Sequence, residues 1–225
     1  MTDFLVLFVG AALPALVLVL WFRVLDRKRP EPLGRVGWSV LLGFVAAAPA
    51  AFLGILASLP AAYMSGPVAL VWLAFVTAAL VEEGVKYLFL RIQLKRNPHF
   101  DEVMDGIVYA ASVSLGFAFA ENLLYGLADR GALVIRAFTA VPMHAAATGI
   151  MGYWLGRAKR EPEAAPAHAR RGFLCAVLVH GLYDLFLFAG GAAALLSMAV
   201  LVWAVYRVVA LARDARAQDE ARAAV

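Results

Sequence analysis

The chain has 225 residues, of which 64% are hydrophobic and 16% charged, with a mean hydropathy of +0.80 and a formal charge of +4. Soluble domains run at roughly 45–50% apolar and about 25% charged, so this chain lacks the polar surface needed to wet a globule. A soluble enzyme, a disordered chain and a collagen-like chain are excluded; the basic excess sits between long apolar runs, which points to membrane orientation and away from nucleic acid.

An apolar stretch of about 20 residues crosses the hydrocarbon core as a helix. Seven such spans are predicted, at 4–22, 36–58, 67–90, 104–127, 133–156, 172–189 and 192–212. Residues 1–225 therefore read as one all-α, polytopic transmembrane bundle. Met1-Thr2-Asp3 carries no positive charge, and the basic residues follow the first apolar run, so that run reads as an uncleaved span. Pro30 and Pro32 mark the first link, and Pro60, Gly66 and Pro67 the second. Asn97-Pro98 stops the third span, and Asp101 is the expected N-cap of the fourth. Residues 159–169, rich in Pro, Ala and charge, read as a flexible link. Gly190-Gly191 reads as a tight turn, and 213–225 as a frayed helical tail. The single cysteine, Cys175, excludes an internal disulfide.

Basic residues set the orientation. Arg23, Arg27, Lys28, Arg29 and Arg35 follow the first span; Arg91, Lys95 and Arg96 follow the third. Arg157, Lys159, Arg160, Arg170 and Arg171 follow the fifth, and Arg207, Arg213, Arg216 and Arg222 lie at the C-terminal end. These seventeen face only Arg130 and Arg136 on the other side. The positive-inside rule puts the N-terminus outside and the C-terminus in the cytoplasm, as an odd number of spans requires.

A short set of ionisable residues sits well inside the spans: Glu82, Glu83, Lys86, Glu121, His144, His180 and Asp184. A central Asp or Lys costs roughly 2.5–3.5 kcal/mol to insert, so such groups point to function. Glu82 and Glu83 precede Lys86 by four and three residues and both reach its ammonium. One glutamate would suffice for an ion pair; the second needs a proton, a metal or another partner. Phe117 stands one turn before Glu121, which is followed by Asn122, and Thr148 stands one turn after His144. His180 and Asp184 are four apart, so the carboxylate can fix the imidazole tautomer. The structural alternative has Glu121 and Asn122 hydrogen-bonding neighbouring helices, and His144 is as open to a packing role as to ligation. His99 and His168, in hydrophilic links, read as solvated. Small residues at Ala46, Ala50, Gly54 and Ser58, at Ala110, Ser114 and Ala118, and at Gly152 and Gly156 allow close helix packing.

Four ordered motifs carry a resemblance: Glu82-Glu83-x-x-Lys86, Phe117-x-x-x-Glu121-Asn122, His144, and His180, each on a successive helix. Together they resemble the motif series of the PrsW family of intramembrane proteases, and Asp101-x-x-x-Asp105-Gly106-x-x-Tyr109 is similar to that family as well. The likeness runs over about residues 67–190. It implies a multi-pass protein of the bacterial cytoplasmic membrane that cleaves a membrane-embedded, single-pass protein, typically an anti-sigma factor in a stress response. Kinship with the CAAX-processing and bacteriocin-protection proteases is also implied. Glu121 stands where those relatives place a histidine, and Asp184 stands in place of their asparagine.

Two chemistries fit peptide hydrolysis by these residues. In one, Glu121, His144 and His180 hold a divalent, zinc-like ion in a His₂Glu set. Glu82 or Glu83 then takes the water's proton, and Asp184 supports His180. In the other there is no metal: the glutamate pair activates water, and a histidine with Asn122 stabilises the oxyanion. Glu82, Glu83, Glu121 and His180 are catalytic in either case, supported by Lys86, Asn122 and Asp184. The rival class is a proton-coupled transporter using the same groups as a relay, though no internal repeat of the transporter kind is present. At ~1.5 Å per residue, Glu82 falls ~12 Å and Glu121 ~21 Å from the same membrane face. A convergent site thus demands displaced, tilted or broken helices, or a water-filled funnel.

Overall fold

The computed structural model describes residues 2–26 and 29–224; Met1, Val225 and two of the basic residues counted above, Arg27 and Lys28, lie outside the described residues. The elements are α1 (Thr2–Leu25), α2 (Leu33–Ser58), α3 (Gly66–Val71), a π-helical stretch (Trp72–Leu80), α4 (Val81–Lys95), α5 (Val103–Ala128), α6 (Arg130–Phe138), α7 (Ala140–Arg160), α8 (Ala165–Ala189) and α9 (Ala194–Ala223). No strand occurs among the described residues. Six helical stretches are long and apolar enough to span a bilayer. The seventh is the pair α6 and α7, bent by 42° at Thr139. The chain is a polytopic helical membrane protein.

The third predicted span, 67–90, is one continuous stretch, Gly66–Lys95, built from α3, the π-helical turns and α4. Pro32 immediately precedes α2, and Gly190 (φ +67°) and Gly191 (φ +53°) make the turn from α8 to α9. Both glycines occupy the left-handed region, which a side chain would disfavour.

Helix α5 is the centre. Its most apolar stretch is 94% buried, against 22–39% for the other five unbroken spans. Its neighbours approach to backbone contact. A Cβ added at Gly106 would collide with the Gly152 carbonyl, and one at Gly156 with the Val103 backbone, so at these points glycine lets the α5 and α7 backbones touch. Gly43 and Gly116 do the same between α2 and α5.

Two expectations are corrected at the end of the bundle bearing the basic links. Asp101 does not cap α5. Asp105 Oδ2 accepts the amides of Asp101 (2.9 Å) and Glu102 (2.6 Å), while Asp219 accepts those of Val103 and Met104, each at 3.0 Å. The cap comes from the C-terminal tail, which is the packed end of α9 and pairs with Arg160 through Asp219. Residues 159–169 are also helical for most of their length: α7 runs to Arg160, and α8 starts at Ala165 after one 3₁₀ turn, Pro162–Ala164. Glu161 braces the turn by pairing with Arg157 and with His168. His168 stacks on Trp154 (5.5 Å, 21°), so it is not a freely solvated residue.

Candidate active site

Each polar residue expected inside the spans arrives at one place. Glu82, Glu83 and Lys86 come from the first turns of α4, Glu121 and Asn122 from α5, His144 and Thr148 from α7, and His180 and Asp184 from α8. Two irregularities lie close to the site. The π-helical turns lead directly into α4, and the break at Thr139 separates α6 from α7.

Glu83 is fully enclosed and fully used. Its Oε1 accepts from Lys86 Nζ (2.8 Å) and lies 3.0 Å from His180 Nδ1, while its Oε2 accepts from the Thr148 hydroxyl (2.8 Å). Glu82 differs. Its Oε2 is 3.6 Å from Lys86 Nζ and 3.8 Å from His180 Nε2, is buried, and has no hydrogen-bond partner. An unmatched buried carboxylate oxygen is costly and marks a place where something binds or reacts.

The histidines are held from both sides. His180 has Glu83 at Nδ1 and Asp184 at Nε2, at 3.0 and 3.2 Å. Asp184 thus meets Nε2 of the ring, and Glu83 holds the other nitrogen. His144 has Lys86 at Nδ1 (3.0 Å) and Glu121 at Nε2 (2.7 Å). The two rings lie 5.0 Å apart, edge to face. Phe117 walls this group: Lys86 Nζ sits 4.3 Å over its ring, and the His144 ring is 5.9 Å away. Ser114 donates to the His144 carbonyl (2.7 Å).

Arg136 was missed. It reads in the sequence as one of two basic residues on the sparse side, yet its Nη2 lies 3.1 Å from Glu121 Oε2 and its Nε donates to Asn122 Oδ1 at 2.7 Å. Its guanidinium also lies 4.0 Å over the Tyr125 ring. The signal that was available is the short, basic helix between two spans, close in sequence to Glu121.

Among the described residues, one group of ligand atoms here falls mutually within 4.8 Å: those of Glu82, His144 and His180. Glu121, expected in the metal set, is outside that group and faces His144 and Arg136 instead. The donor set of two imidazoles and a carboxylate suits a zinc-like ion. Charge agrees. Glu82, Glu83, Glu121 and Asp184 against Lys86 and Arg136 leave a formal −2 with both rings neutral, which a divalent cation balances. His144 would join such an ion by exchanging Glu121 at Nε2.

An apolar cavity of about 670 Å³ opens beside the group, lined by Ala47, Ala50, Gly54, Thr77, Glu82 and Glu121 among others. The small residues expected to pack helices thus also shape a cleft, and the two carboxylates stand in its wall.

Comparison with known proteins places the chain in a family. Residues 31–211 match the PrsW family intramembrane metalloprotease profile. The chain is 37% identical to Protease PrsW of Geobacillus kaustophilus over 204 residues, 89% of each chain. It is 35% identical to Protease PrsW of Bacillus subtilis over 177 residues, covering 77% of this chain and 79% of that one. Protease PrsW of Clostridioides difficile is 33% identical over 191 residues, 80% of this chain and 79% of that one. No solved structure matches. With the family profile matched over residues 31–211 and the similarity running along most of its length, the chain belongs to the PrsW family of intramembrane metalloproteases.

Proposed function

We propose that the protein is an endopeptidase of the bacterial cytoplasmic membrane that hydrolyses a peptide bond in a single-pass membrane protein. An anti-sigma factor is the substrate that the family resemblance implies. The observation that carries the reading is the partnerless oxygen of Glu82, buried next to His144 and His180 and in the wall of the apolar cavity. A relay for proton transport would use the same charges, but it gives no reason for a 670 Å³ apolar cleft beside them.

Glu82, His144 and His180 would hold the metal. When bound, the ion polarises a water and the scissile carbonyl. The residues around it have separable tasks. Glu83 orients His180 through Nδ1 and is itself fixed by Lys86 and Thr148, so it has no oxygen left to take a proton. Glu121 faces the cavity, takes the proton of the attacking water and returns it to the departing amine. Arg136 holds that carboxylate in place, and Asn122 accepts from Arg136 in turn. The walls of small apolar side chains receive the backbone of the substrate and exclude bulk water.

The Lys86 contact to His144 Nδ1 favours a second reading. If the ammonium donates there, Nε2 carries the ring proton and donates to Glu121, and His144 is no ligand. Glu82 then acts as the base without a metal.

A reconstituted cleavage assay separates the two. Under the metal reading, chelation abolishes cleavage and added zinc restores it. Glu82→Gln and His180→Ala lower bound metal, whereas Glu121→Gln keeps the metal and loses roughly 10²–10⁴-fold in rate. Full activity in a preparation shown to be metal-free would overturn the metal reading and leave the glutamate one. Cleavage by both glutamine variants at the native rate would overturn the site itself.

A further inference from the structure

A second group of acidic side chains lies away from the site just described, where the ends of α1, α2 and α5 meet. Asp26 follows α1, Glu31 lies in the link to α2, and Asp105 is in the first turn of α5. They are 3%, 4% and 1% exposed, and one oxygen from each falls within 4.8 Å of the others. Three enclosed carboxylates at that spacing repel strongly unless something positive sits between them.

Among the described residues, the contacts around them do not supply it. Asp105 Oδ2 is occupied by the amides of Asp101 and Glu102, and Glu31 Oε2 accepts from the Tyr109 hydroxyl. Asp105 Oδ1 and Asp26 Oδ2 are buried with no hydrogen-bond partner. The described arginines nearby are engaged elsewhere: Arg29 with Glu102 and Asp101, Arg160 with Asp219, Arg23 with the Glu31 carbonyl, and Arg216 with the Leu25 carbonyl. Burial, with Asp105 beside them, pushes the Asp26 carboxyl up to about 7 and that of Glu31 up to about 9. A cavity of about 280 Å³ lined by Glu31, His99, Asp101, Glu102 and Asp105 gives a path for an ion and its waters.

We propose that Asp26, Glu31 and Asp105 form a structural cation site that takes a hard divalent ion of the Mg²⁺ or Ca²⁺ class and ties the α1–α2 link to the start of α5. The donor set decides the class. It is all oxygen and mostly carboxylate, which suits Mg²⁺, Ca²⁺ or Mn²⁺ and not the softer ions favoured by imidazole and thiolate. The site differs from the histidine-bearing one in chemistry and in location, and it stands whichever mechanism operates there.

The test uses the full chain in detergent, stripped with chelator, in the His180→Ala background so that the histidine site contributes least. Mn²⁺ serves as a paramagnetic probe, and Mg²⁺ and Ca²⁺ are titrated while thermal unfolding is followed. The expected result is one bound Mn²⁺ per chain, displaced by Mg²⁺ or Ca²⁺, with a melting temperature that rises by several degrees and saturates. Asp26→Asn with Glu31→Gln should abolish both the Mn²⁺ signal and the rise. Two results overturn the proposal. One is no Mn²⁺ bound at millimolar concentration by the parent background, which is readable even if the double variant fails to fold. The other is a double variant that binds Mn²⁺ as its parent does.

Discussion

At the scale of single residues, the adjacent glutamates have opposite situations. Successive helical positions are about 100° apart, so one member of the pair turns into the protein and the other toward the cleft. Glu83 is the inward one, and among the described residues its only formally charged partner at hydrogen-bond distance is Lys86, with His180 and Thr148 completing its shell. Lys86→Met should therefore destabilise the protein by roughly 3–5 kcal/mol, because it strands a buried carboxylate. Adding Glu83→Gln should recover part of that loss, and thermal unfolding of the two variants in detergent measures the coupling. Equal melting temperatures for both would mean that the pair is not the anchor described. The sequence showed that both glutamates could reach Lys86, but i,i+3 and i,i+4 spacing is symmetrical enough that it could not say which would be enclosed. Arg136 was hidden for another reason. A lone arginine beside a span looks like an orientation charge, and only the fold, with α6 following α5 directly after Asp129, shows that it meets Glu121.

At the scale of elements, the spans were legible because twenty apolar residues have few places to go except the bilayer, and Gly and Pro mark where they stop. The irregular turns were not. Trp72–Leu80 holds no glycine or proline, so nothing in its composition announces π-helical hydrogen bonding. Likewise Thr139 looks like any residue inside a fifth span. The GxxxG pair was legible as a packing surface, and its partner is now fixed: Gly152 meets Gly106 and Gly156 meets Val103. Gly152→Ala puts a methyl into the opposing backbone and should cost about 1–3 kcal/mol. It should also lower cleavage, since α5 and α7 carry Glu121 and His144. A variant with native melting temperature and native rate would show that the interface tolerates separation.

At the scale of the whole molecule, the orientation follows from the basic links alone. The expected arrangement puts residues 59–66 outside and the 91–102 link in the cytoplasm. In a Cys175→Ala background, Ser65→Cys should react with an impermeant thiol reagent added to intact cells, and Lys95→Cys only after the membrane is opened. The reverse pattern would invert the topology. The same placement sets the acidic cluster of Asp26, Glu31 and Asp105 at the cytoplasmic end, since it lies among the links that carry the basic residues.

The cap on α5 has a consequence for biosynthesis. Asp219 closes amides that precede it by 116 and 115 residues, so the central helix is translated and inserted long before the group that satisfies its first turn exists. Until α9 arrives, Val103 and Met104 keep open N–H groups and Arg160 has no carboxylate from the tail. A residue near the end of α9 therefore completes the first turn of the helix on which Glu121 sits. A chain cut before Asp219 would leave those two amides of the central helix open.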